Sequence, residues 1–128
     1  MPSAFDRLRA VLKELNKSGK VKASIVATDE GFVIASSVRH GVDENVAAAM
    51  GSFVHNAAER ARKELKLGSI RDITIRCEEG TLVCKATEME DRRPIILAAL
   101  IPRKIRFYIR HINIAVRKIR GILHDLVI

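Results

Sequence analysis

Apolar residues recur along this chain at two alternating periods, and the switches between them mark eight elements. Phe5, Leu8, Val11, Leu12 and Leu15 follow helical spacing. Ser3, with Asp6 three residues on, supplies a start for that helix, and Lys17-Ser18-Gly19 supplies a stop. Residues 21–28 and 32–37 are rich in β-branched side chains. Between them Asp29-Glu30-Gly31 offers a glycine for the positive φ that a three-residue hairpin loop requires.

Gly41 and Asp43 then provide a break and an N-cap, and residues 44–67 read as a long alanine-rich helix ended by Gly68. Val46, Met50, Phe53, Ala57, Ala61 and Leu65 define the stripe expected to be buried. A second hairpin is predicted from residues 70–77 and 81–87 around Glu78-Glu79-Gly80. Residues 95–101 form a nearly all-apolar fifth strand suited to the centre of a sheet. From about residue 104 to 126, Ile105, Ile109, Ile112, Val116, Ile119, Leu123 and Leu126 repeat at spacings of four and three, which predicts a last helix covering one face of that sheet.

The outcome is an α/β (α+β) fold with three helices and a five-stranded, mainly antiparallel sheet, in the order α-β-β-α-β-β-β-α. No linker-like or low-complexity tract interrupts residues 1–128, so one domain is expected. A chain of 128 residues, 48% of them hydrophobic, is large enough for one core. No apolar run approaches the ~18 residues of a membrane span, and the first residues lack a signal-peptide core, so a cytoplasmic protein is expected. Dense charge, frequent isoleucine and arginine and no glutamine or tryptophan lean towards a heat-loving organism.

The order of elements, and the residues within them, resemble the roadblock family, named from a dynein-associated light chain and related in fold to longin and profilin domains. Ala23-Ser-Ile-Val-Ala-Thr-Asp-Glu-Gly-Phe-Val-Ile-Ala-Ser-Ser37 is similar to the family's first hairpin. Val46-Ala-Ala-Ala-Met-Gly with Ala57-Ala-Glu-Arg-Ala is similar to its second helix. Leu65-Lys-Leu-Gly and Ile73-Thr-Ile-Arg-Cys-Glu-Glu-Gly are similar to the turn and hairpin that follow. The resemblance runs from the first helix to the fifth strand; the very basic last helix departs from it. It implies a homodimer that regulates or recruits a Ras-like small GTPase, by scaffolding or by positioning switch loops, without being a GTPase itself.

Chemistry of the chain's own finds no support. There is no GxxxxGK[ST] loop, no GxGxxG after a strand and no HExxH pair, so no catalytic residue and no cofactor is expected. His40, His55, His111 and His124 lie in different elements, and two cysteines make no zinc framework, so no metal is expected. With Glu79-Gly80 as the turn, Cys77 lies opposite Leu82 and Cys84 opposite Ile75. That diagonal separation of ~7 to 8 Å is too long for an easy disulfide. Asp29-Glu30 and Glu78-Glu79 each precede the glycine of a tight turn, where polar residues are expected anyway.

Two surfaces remain as candidates. On the second helix Ala47, Gly51 and Ala58 fall to one side of the apolar stripe, with His55 and Arg62 further round. A glycine inside a helix costs ~1 kcal/mol against alanine, so Gly51 marks a close backbone approach, either to the chain's own sheet or to a second copy. The family resemblance favours a dimer contact there, joined by Ile73 and Ile75 on an edge strand that pairs with its copy. On the last helix Arg103, Arg106, Arg110, Arg117 and Arg120 align as a basic face, with Phe107 and Ile114 on an apolar flank opposite the core. The net charge of +8 is concentrated there, with seven basic and one acidic residue over 102–128. Such a face suits an acidic GTPase surface, an anionic membrane or, as an alternative function, a nucleic acid. Only five aromatic residues, and no aromatic-basic strand motif, weigh against the last. Arg62, Arg71 and Arg76 are each able in principle to act as an arginine finger, and nothing in the sequence selects one.

Overall fold

A computed structural model describes residues 2–88 and 92–126 of the protein. The elements are α1 (Ala4–Ser18), β1 (Ala23–Thr28), β2 (Val33–Val38), α2 (Glu44–Glu64), β3 (Ile73–Cys77), β4 (Gly80–Thr87), β5 (Ile95–Pro102) and α3 (Ile109–Asp125). The strands form one sheet in the order β2-β1-β5-β4-β3, and every neighbouring pair is antiparallel. The apolar strand β5 is central, as its composition predicts. β2 and β3 are the edges.

Local signals operate where the sequence places them. Ser3 and Asp6 form a reciprocal capping box: the Asp6 N–H donates to Ser3 Oγ at 3.1 Å, and the Ser3 N–H donates to the Asp6 carboxylate at 3.3 Å. Asp43 caps α2 by accepting from the N–H groups of Asn45 and Val46. Gly31 closes the first hairpin at φ +94°.

Helices cover both faces of the sheet. Leu8, Leu12 and Leu15 of α1 and Ile112, Val116, Ile119 and Leu123 of α3 bury with Val26, Val83, Leu97, Ala99 and Ile101 on one face. Asn16 ties α1 to two strands: its Nδ2 donates to the Ser37 carbonyl at 2.8 Å, and its Oδ1 accepts from the buried Ser24 Oγ at 2.8 Å. α2 lies on the opposite face, over Ala23, Ile25, Ala27, Ile96, Ala98 and Cys84.

Three expectations change. The second hairpin turns at Glu78-Glu79, so Cys77 pairs with Gly80, Ile75 with Leu82 and Ile73 with Cys84. Gly80 belongs to the strand, opposite Cys77 of β3 and Pro102 of β5, and a β-carbon there would stand 3.0 Å from the Ile101 carbonyl. Cys77 is exposed and Cys84 buried, four strand positions apart by register. The last helix begins at Ile109 rather than near residue 104, since Ile105 packs into the core and Tyr108 is buried, which draws the connecting chain onto the sheet. Ile109 and Leu126, counted in its buried stripe, are largely exposed. α2 ends at Glu64, with Lys66 and Gly68 in left-handed conformations beyond it.

Candidate functional site

The largest correction concerns which way α2 faces. Its buried residues are Ala48, Gly51, Ser52 and His55. The stripe expected in the core points outwards: Val46 is 56% exposed, Met50 50% and Phe53 70%, and Ala57, Ala61 and Leu65 are exposed as well. The cause is the bulk of the side chains. Small residues on α2 meet small residues on the sheet, and a β-carbon on Gly51 would stand 3.1 Å from Cβ of Ala98 and 3.7 Å from Sγ of Cys84. A helix so close to the sheet has no room for methionine or phenylalanine on its inner side. Gly51 and His55 are therefore engaged in this chain's own packing. His55 lies on the floor of a cleft of about 370 Å³ with Cys84, Ile73, Glu59 and Arg71.

Polar contacts fix the helix in this pose. The Asp29 carbonyl in the first hairpin turn accepts from Ser52 Oγ at 2.5 Å and from Asn56 Nδ2 at 3.0 Å. Arg93 donates to the Asp29 and Glu30 carboxylates at 3.0 Å. At the first residue of α2 Ser36 donates to Glu44. The outward stripe is thus presented on a helix held at its start and at its middle, with Phe32, 67% exposed, in the turn beside it.

The other residues of the expected dimer surface are dispersed. Ala47, Ala58 and Arg62 are half-buried beside the packed face. Arg62 donates to Glu59 at 3.0 Å, which holds that carboxyl below its ordinary range. Ile73 is half-buried and Ile75 39% exposed, both on β3, whose outer edge is unpaired among the described residues. Arg71 and Arg76 are exposed. Among the described residues no three His, Cys, Asp or Glu side chains gather as a metal ion would need, and no helix is long and apolar enough to cross a membrane.

Arg103, Arg106, Arg110, Arg117 and Arg120 are all exposed; they belong to α3 and the loop ahead of it, and Arg120 also borders the His55 cleft, so it stands at the margin of the α2 side. Arg103 and Arg106 stand in the loop ahead of α3, so the basic face is part loop and part helix. The molecule therefore carries an apolar surface on one side and a basic one on the other.

The sequence pattern of the Roadblock/LC7 domain matches residues 8–90. The chain belongs to the Roadblock/LC7 family. The uncharacterized protein MJ0714 of Methanocaldococcus jannaschii is 40% identical over 87 residues, 67% of this chain and 71% of that protein. Myxococcus xanthus MglB superposes with a TM-score of 0.84 at 17% identity, covering 100% of this chain and 96% of its own. A structure of MglB with tetrameric arrangement gives 0.84 at 14% identity, with 98% and 93% covered. At such identities the likeness is one of fold. Both superpositions extend across α3, beyond residues 8–90, so the last helix is part of the shared fold.

The roadblock stripe on α2 was legible as a stripe, but not its direction. The missing signal was on the opposite side of the helical wheel, where 48, 51, 52 and 55 are all small or polar and match the alanines of β1 and β5.

Proposed function

We propose that this roadblock protein is a non-catalytic, cytoplasmic, homodimeric platform that binds a Ras-like small GTPase of its own archaeal cell. The observation that carries the reading is the outward stripe Val46, Met50, Phe53 and Ala57 on α2. A helix already seated on its sheet by one face gains nothing within the chain from a second apolar face, whereas a partner surface does. The free edge of β3 supplies the route to a dimer. Two β3 strands pairing antiparallel about a twofold axis normal to the sheet place both α2 helices on the same face, and their stripes then form one apolar surface for the GTPase. Likeness to MglB, one structure of which has a tetrameric arrangement, supports assembly of several copies. The dimer contact proposed here keeps Ile73 and Ile75 with the β3 edge and replaces Gly51 and His55 by residues that reach solvent.

In this reading the GTPase supplies its own phosphate chemistry, and the platform holds its switch loops in one arrangement. The test is a pull-down of small GTPases from the same organism, loaded with GTP or with GDP, by the full chain and by a Phe53→Asp variant. Capture in one nucleotide state, lost in the variant, is expected. Failure in both states counts against the proposal.

A further inference from the structure

The two sides of the sheet differ in charge as well as in polarity. α1, α3 and their adjoining loops, over residues 2–22 and 103–126, carry thirteen lysines and arginines against three carboxylates, whereas α2 and its loops over 43–72 carry five of each. The excess is densest at one corner. α1 ends against the first turn of α3, so closely that a β-carbon on Gly19 would stand 3.1 Å from Cβ of His111. This places Lys20, in a left-handed conformation at φ 55°, beside the loop ahead of α3. Lys20, Lys104 and Arg106 border a cleft of about 360 Å³ there with Ser18 and Gly19. None of the three has an ion-pair partner among the described residues. Phe107, on the same cleft, is 90% exposed.

We propose that this corner docks the protein on an anionic lipid bilayer, with Phe107 entering the interfacial layer and Lys20, Lys104 and Arg106 taking lipid phosphates around it. Basic residues near a negatively charged leaflet bind it additively, and an aromatic ring among them adds apolar burial at headgroup depth. Other anionic partners fit less well. A single-stranded nucleic acid stacks on successive aromatic faces, and this corner has one; Phe5 lies at the far end of α1, where Arg7 pairs with Asp125 of α3. An acidic protein surface would pair the charges, but it would take the ring only in a pocket shaped for it, whereas a bilayer needs no such complementarity. Since α2 lies on the other face of the sheet, lipid and protein partners do not compete, and the inference stands whether or not the partner is a GTPase.

The chain has no tryptophan, so Phe107→Trp creates a single reporter. With vesicles of phosphatidylcholine and phosphatidylglycerol its emission moves to the blue, and with phosphatidylcholine alone it stays. In vesicle sedimentation of the full chain, Phe107→Ser lowers the partition coefficient about tenfold. Lys20→Ser, Lys104→Ser and Arg106→Ser together lower it on the order of a hundredfold. Both variants keep the parent's melting temperature, because every residue changed is exposed. The proposal is overturned if the emission does not shift, or if Phe107→Ser binds anionic vesicles undiminished. Displacement from vesicles by sodium phosphate beyond that by chloride at equal ionic strength also overturns it, in favour of a free-phosphate site. A single-stranded oligonucleotide held more tightly than vesicles at moderate salt overturns it in favour of nucleic acid.

Discussion

Gly51 in α2 approaches Ala98 in β5 so closely that a β-carbon built on the glycine would lie 3.1 Å from the alanine's own. This contact sets the height of α2 above the sheet and, through it, the direction of every other side chain on the helix. A leucine at position 51 has to lift α2 or distort β5. Overpacking of that kind typically costs about 1 to 3 kcal/mol. Gly51→Leu is therefore expected to lower folding stability by roughly 3 kcal/mol, read from the urea midpoint at constant m-value. A variant as stable as the parent but impaired only in self-association would show that Gly51 meets a second copy instead.

The outward stripe predicts the opposite separation of effects. Met50→Asp and Phe53→Asp replace side chains at least half exposed, so the fold of the isolated chain should change by less than about 0.5 kcal/mol, as surface substitutions usually do. Partner binding should fall, and where apolar anchors sit at an interface centre the loss is about 2 kcal/mol or more. Thermal melting together with calorimetric titration of the captured partner checks both halves. A large drop in melting temperature would return the stripe to the core.

How much of this was open to sequence reading depends on how local each cause is. The Ser3–Asp6 box, the Asp43 cap and Gly31 in the first hairpin act within four residues of themselves and were legible. The central place of β5 followed from its unbroken apolar run. The direction of α2 was not legible, because a period fixes a face without saying whether the bulky side or the small side meets the sheet. The register of the second hairpin is fixed with β4 already paired to β5, where Gly80 lies opposite Pro102, a partner 22 residues on. Likewise the start of α3 depends on Ile105 and Tyr108 joining the core. The basic residues were visible as a helical face, but the corner they make with Lys20 required the end of α1 to be brought beside them.

Asn16 offers a test of the other layer. It accepts from the buried Ser24 hydroxyl and donates to the Ser37 carbonyl, so one amide serves α1, β1 and β2 together. Asn16→Asp keeps the acceptor but turns the donor into a carboxylate oxygen facing a carbonyl. Leaving a buried group unsatisfied costs about 1 to 3 kcal/mol. A loss near the upper end is expected at neutral pH, with part of it recovered as the pH falls and the new carboxyl takes a proton. Urea unfolding at neutral and mildly acid pH measures both.

Cys84 links packing to alkaline stability. Burial against α2 pushes its thiol from an ordinary 9.0 up to about 11, because the thiolate has no water to solvate it. A group whose folded pKa is raised favours the folded state while it stays protonated in both states. That contribution is complete below about 9 and is lost as the pH climbs from there through about 11. Unfolding free energy should therefore decline over this window, and the decline should be shallower in Cys84→Ala, whose stability at neutral pH is lower because a cavity opens beneath Gly51. Every other group is common to both proteins, so the difference between the two curves isolates the thiol. Reactivity supplies an independent readout: a water-soluble thiol reagent at mildly alkaline pH should modify the exposed Cys77 in the folded protein and reach Cys84 only on unfolding. Equal labelling of both cysteines in the native state would mean that α2 lifts from the sheet far more readily than the Gly51 contact allows.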